Sequence, residues 1–134
     1  MNTESKSYGI TAHGTYLPRL RMRREAIAAA HCWMAPGLAA GAKGERAFCS
    51  WDEDSITMAV EAAGNALADR PRDAIDALTM ATTRPAFADL QGASIVAGAL
   101  ALTASVRTAD LGQSQRAGVS GLLALLGAAG GRAP

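Results

Sequence analysis

Two cysteines and two histidines are the side chains of this sequence best suited to nucleophilic or proton-transfer chemistry. Cys32 stands beside Trp33, and Cys49 near Phe48 and Trp51, settings in which a thiol reads as a small buried hydrophobe. Neither lies in a CxxC spacing, and two thiols are too few for a four-cysteine zinc site or a disulfide framework. No metal site is expected. His13 falls on an expected strand and His31 on an expected helix, with nothing nearby in sequence to make either a catalytic base. The remaining chemistry-bearing residues are charged. Arg19, Arg21, Arg23 and Arg24 form a basic cluster, either a solvated face or a guanidinium set able to hold phosphate. Lys43, Glu45 and Arg46 read as surface pairs. Asp110, at the end of an expected strand, reads as a cap for the turn that follows. Gly112 and Gly118 are not followed by Lys-Ser/Thr, which excludes a P-loop and leaves close backbone packing as their role.

Hydrophobic periodicity supplies the elements that must position these residues. Residues 8–18 alternate roughly, carry β-formers and end at Pro18, which predicts a first strand. The Ala-rich stretch 25–31 predicts a short helix that Pro36-Gly37 must end, and 37–51 is Gly-rich and aperiodic, a long loop. Carboxylates and a hydroxyl at 52–55 precede Ile56, Val60, Ala63 and Leu67 at helical spacing, predicting a capped amphipathic helix over 55–68. Further elements follow as a strand over 75–81, a helix over 93–102, a strand over 106–111 and a final helix over 114–129. This last helix is apolar nearly all round, which predicts burial. The alternation gives an α/β fold, a mixed sheet with helical crossovers.

At 134 residues the chain has room for one domain, and small aliphatic residues must build its core, because aromatics are only 4% while glycines number 14. Hydrophobic residues at 49% and a net charge of +1 disfavour disorder and a nucleic-acid-binding field. The start MNTESKSYGI has no signal-peptide pattern, and no apolar run approaches the roughly 20 residues of a membrane span, so a soluble cytoplasmic protein is expected.

Four blocks in order, GITAHGTYLPRLRMRR, KGERAFCSWDEDSITMAVEAA, LTMATTRPAFAD and TADLGQSQRAGVSGLLALL, together resemble the N-terminal portion of the thiolase superfamily. The likeness is closest to bacterial hydroxymethylglutaryl-CoA synthase-like proteins and more distant to ketoacyl synthase III. It covers nearly the whole chain and implies a partial thiolase-like fold, residues 1–134 being a single incomplete N-terminal domain with a buried C-terminal helix. The implied activity is that of an acyltransferase condensing acyl-CoA thioesters, with no covalently bound cofactor and a coenzyme A thioester as substrate. Under that resemblance Arg19, Arg21, Arg23 and Arg24 become candidates for the CoA phosphates.

The family's nucleophilic cysteine sits at the N-terminus of the buried helix, and here Gln115 stands in its place. The carboxylate that serves as general acid and base follows an Ala-Thr pair, and here Ala81-Thr82 is followed by Thr83. An amide cannot attack a thioester, and a hydroxyl does not act as an acid near pH 7. A Gln at this position is similar to decarboxylating ketosynthase-like domains, in which an amide holds a thioester carbonyl; the backbone amides of Arg116 and Ala117 would assist. A helix-terminal polar residue satisfying nearby backbone is the alternative for Gln115. The superfamily's second half supplies further catalytic groups, so the resemblance implies that a second segment is needed. Implied partners are acyl-CoA, a second copy or a complementing thiolase-half chain, and a zinc-ribbon/OB-fold protein. A non-catalytic thiolase-fold scaffold and a truncated fragment remain the rival readings.

Overall fold

The computed structural model describes residues 8–112 and 114–129. These residues cluster into two compact units, one formed by those up to Tyr16 together with those from Ser55 on, the other by Leu17–Asp54.

The second unit is an antiparallel ribbon with a helix. Strand β1 (Leu20–Arg23) pairs with β2 (Glu45–Phe48) in the register Leu20↔Phe48 to Arg23↔Glu45. Helix α1 (Arg24–His31) follows β1 directly, and a 3-10 turn over Pro36–Gly41 packs against it. Two expectations are corrected here. The loop over 37–51 contains β2, which no alternation could announce because its four residues have no buried face. Cys49, expected buried, is exposed, and so are Phe48 and Trp51, since no second layer covers the ribbon within its unit.

The larger unit alternates strand and helix: α2 (Ser55–Leu67), β3 (Ala77–Thr82), α3 (Gly92–Ala99), β4 (Arg107–Gly112) and α4 (Ala117–Ala129). β3 and β4 are parallel, with Ala77 opposite Arg107 and Thr82 opposite Gly112. Parallel pairing requires a crossover, and α3 provides it. The core joins Ile56 of α2, Met80 of β3, Ala93 and Val96 of α3, and Leu100, with Ala59, Val60, Ala63, Leu67 and Leu78 packed against them. Ile56, Ala59, Val60, Ala63 and Leu67 fall on one helical stripe, and Leu78 and Met80 on one face of β3. The opposite face meets α4, where a Cβ on Gly121 would lie 3.0 Å from Leu111 Cδ1 and 3.7 Å from Thr79 Cγ2. The fold is therefore α/β, two helices on one face of a parallel pair and one on the other.

Two departures from expectation have physical causes. Residues 8–16 form no strand, because a strand exists only where a neighbour supplies a ladder. The segment instead hangs from α2 and the turn after it: Asn65 Nδ2 donates to the Thr15 carbonyl at 3.2 Å, and Arg70 donates to Thr11 Oγ1 and the Thr11 carbonyl at 3.2 and 3.0 Å. Finally, α4 is not enclosed. Only Ala117 and Gly121 are buried, while Val119 is 60% and Leu123 63% exposed, because a two-stranded sheet can cover one stripe of a helix and no more.

Candidate functional site

Open parallel sheets present ligands at the carboxyl ends of their strands, where the following loops converge. β3 and β4 end together at the Thr82↔Gly112 rung. Beyond Thr82 the chain bends through Thr83 and Arg84; the Thr82 hydroxyl accepts from the Arg84 N–H and donates to the Arg84 carbonyl, both at 3.1 Å, and Thr83 is left exposed. Beyond Gly112 a turn carries Ser114, Gln115 and Arg116 into α4. Thr83 and Gln115, far apart in sequence, thus leave the same end of the strand pair. A cavity of about 250 Å³ opens there, lined by Thr82, Pro85, Phe87, Asp110, Leu111 and Gly112 among others.

Helix α4 begins at Ala117, so Gln115 precedes it rather than lying in its first turn. The Arg116 N–H donates to Ser114 Oγ at 3.1 Å and the Ala117 N–H to the Ser114 carbonyl at 3.0 Å. Those two amides were the expected partners of a thioester carbonyl; the Ser114 turn uses both. The Gln115 side chain itself is exposed.

Asp110 is a cap, but of the preceding helix rather than of the following turn. Its carboxylate accepts from the Gly92 N–H at 2.6 Å and the Ala93 N–H at 2.8 Å, satisfying two orphan donors at the start of α3 where negative charge is favoured. The neighbouring Gln91 ties α3 to β4 as well: its Nε2 donates to the Thr108 carbonyl at 3.1 Å and its Oε1 accepts from Thr108 Oγ1 at 2.9 Å.

The four clustered arginines are all exposed. Arg21 donates to the Pro18 and Leu20 carbonyls, and Arg23 meets Glu25 at 3.9 Å with both side chains about three-quarters exposed, a pair of small energy. Arg24 is held by its backbone N–H on the Gly44 carbonyl at 2.9 Å and its Nε on the Glu45 carbonyl at 3.3 Å. It lines a cavity of about 230 Å³ together with Arg46, Ile27, Ala28 and Leu38. Arg46, read from sequence as a surface residue, is exposed and lines this cavity too. The signal was the unseen strand β2, whose register sets Met22 opposite Arg46. His13 and His31 are both exposed, and no cluster of metal-ligating side chains occurs among the described residues. No described helix is long and apolar enough to cross a membrane.

Comparison with known proteins places these features in context. The chain is 34% identical over 127 residues to the hydroxymethylglutaryl-CoA synthase of Pyrococcus furiosus, covering 93% of this chain and 35% of that protein. It is 35% identical over 122 residues to the hydroxymethylglutaryl-CoA synthase of Methanopyrus kandleri, covering 88% and 35%. Among solved structures, the β-ketoacyl-[acyl carrier protein] synthase III of Thermus thermophilus superposes with a TM-score of 0.73 at 25% identity, over 94% of this chain and 40% of that one. OleA of Xanthomonas campestris superposes with a TM-score of 0.75 at 20% identity, a likeness of fold over 87% and 38%. No family model matches the chain. The chain spans about a third of the length of the curated relatives it matches.

Proposed function

We propose that this chain, a partial thiolase-like protein similar to hydroxymethylglutaryl-CoA synthases, binds an acyl-CoA thioester at the carboxyl end of its parallel strand pair. In this reading residues 1–134 are one incomplete N-terminal domain of a condensing acyltransferase, and a second segment completes the chemistry. The observation that carries it is the common exit of Thr83 and Gln115 beyond the Thr82↔Gly112 rung, beside the 250 Å³ cavity. The Gln115 carboxamide donates a hydrogen bond to the thioester carbonyl and stabilises charge developing on that oxygen. With the Arg116 and Ala117 amides engaged by Ser114, this carboxamide is the donor. The Thr83 hydroxyl orients the thioester and moves no proton. Taken by itself, the other unit has a cavity lined by Arg24 and Arg46, guanidinium forks suited to a phosphate. No atom of this set is a nucleophile, so the chain by itself positions a thioester and does not turn it over.

A non-catalytic scaffold is the second reading, favoured by one observation: the carboxylate lining the cavity, Asp110, is already committed to the start of α3. Acylation of a Gln115→Cys variant by radiolabelled acetyl-CoA separates the two. Thiolate attack on the carbonyl would form a new thioester and release CoA as the thiol, and the expected result is label on the introduced thiol in a Cys32→Ser/Cys49→Ser background. Acetyl-CoA at about 100 times its Kd is expected to stabilise the unaltered chain by about 2.7 kcal/mol. Stabilisation without acylation supports the scaffold; neither effect removes the CoA site.

A further inference from the structure

The cavity at the carboxyl end of the strand pair is chemically one-sided. Pro85, Phe87 and Leu90 from the loop after β3 and Leu111 from β4 give it apolar walls. Phe87 is 44% and Leu90 54% exposed, apolar surface that an aliphatic group entering the cavity removes from water. Its volume of about 250 Å³ exceeds the roughly 150 Å³ that encloses a benzene ring, so a short branched acyl group fits. Among the described residues that line it one is charged, Asp110, and none is a lysine or arginine. Both Asp110 oxygens already accept backbone N–H groups, from Gly92 at 2.6 Å and Ala93 at 2.8 Å, and an ionised carboxylate has no proton to offer a second one.

We infer, resting on the thioester reading above, that this cavity selects neutral apolar acyl groups and rejects carboxyacyl groups such as malonyl, with Asp110 as the charge filter. A carboxylate entering the cavity meets a like charge, gives up water to apolar walls and finds no cation to replace that water. A branched aliphatic group of the same outline pays neither cost and covers Phe87 and Leu90 instead. The filter also bears on Gln115, which leaves the same end of the strand pair. An amide in that place resembles decarboxylating domains, yet the neighbouring cavity disfavours the carboxylate that such a reaction removes. Gln115 therefore serves a thioester with no carboxylate to lose.

Isovaleryl-CoA and malonyl-CoA separate charge from size, because their acyl groups share one branched outline. In calorimetric titrations of the full chain, isovaleryl-CoA is expected to bind about tenfold more tightly than malonyl-CoA. Asp110→Asn keeps an acceptor for the start of α3 but removes the charge, and should narrow that ratio to about twofold. Phe87→Arg places a cation in the exposed wall, outside the core, and should reverse the preference. Circular dichroism reports whether each variant folds, and Phe87→Arg decides where Asp110→Asn does not. Equal affinities, a preference for malonyl-CoA, or release of carbon dioxide from malonyl-CoA in the unaltered chain would overturn the inference. So would a ratio that the deciding variant leaves unchanged. If the two thioesters bind alike and Gln115→Ala weakens both, the thioester site stands and the charge filter alone falls; if neither binds, the thioester reading falls and takes the filter with it.

Discussion

A single carboxylate, Asp110, does more for its unit than the Arg23–Glu25 ion pair does for the other. Asp110 receives two backbone N–H groups at the start of α3, joining the strand at one end of the crossover to the helix within it. Asp110→Ala leaves both donors without that acceptor and is expected to lower the unfolding free energy by about 1–2 kcal/mol, read by urea denaturation. Asp110→Asn keeps one carbonyl oxygen and should lose less. By contrast Arg23→Ala should change stability within about 0.5 kcal/mol, because its pair with Glu25 is solvent-screened. Part of this was legible beforehand: an aspartate ending a strand is a cap by habit. Which amides it caps was not legible, because Gly92 and Ala93 lie well before it in sequence and only the crossover returns them to it. The same holds for Arg46, whose place at the cavity that Arg24 lines depends on pairing between strands distant in sequence.

Local pattern foretold the elements wherever one face is buried. The stripe Ile56, Val60, Ala63, Leu67 announced α2, and the helices and strands after it fall within a few residues of expectation. Pattern failed at two exposed segments. β2 has no buried face to generate alternation, and 8–16 has the alternation without a described partner strand. Helix ends hold a second lesson. Ala68 and Ala101 both adopt left-handed backbone, with φ of 43° and 53°, just past α2 and α3. At Ala101 the Leu102 N–H reaches back to the Ala97 carbonyl at 3.0 Å, the closing bond of a Schellman motif, whose left-handed position glycine fills without a Cβ clash. Ala101→Gly is therefore expected to stabilise the unit by about 0.5–1 kcal/mol, a rise in melting temperature measurable by circular dichroism.

For the molecule as a whole, the α/β class was readable from the alternation of elements and the thiolase-like likeness from four blocks in order; the extent of cover over α4 was not. Helix burial was inferred from its own composition, yet burial depends on how much sheet and helix surround it. Val119, Leu122, Leu123 and Leu125 remain exposed along one helix, a contiguous apolar surface of the sort that drives association. The double variant Val119→Lys/Leu123→Lys is expected to reduce self-association in light scattering while leaving the melting temperature of the unit within about 2 °C, since neither residue is in its core. A parallel fall in melting temperature would show that these side chains are buried in the protein as it exists in solution.

An amphipathic helix encodes its own rotational setting, because only one orientation puts its polar face in water. α4 has no polar face, so its sequence contains almost no information about phase. What indexes it are two notches of minimal size, Ala117 and Gly121, one turn apart, with Gly121 seated against Leu111 and Thr79. Enlarging either notch would leave hydrophobicity intact and erase the reference mark, turning a helix with one address on the sheet into one with several.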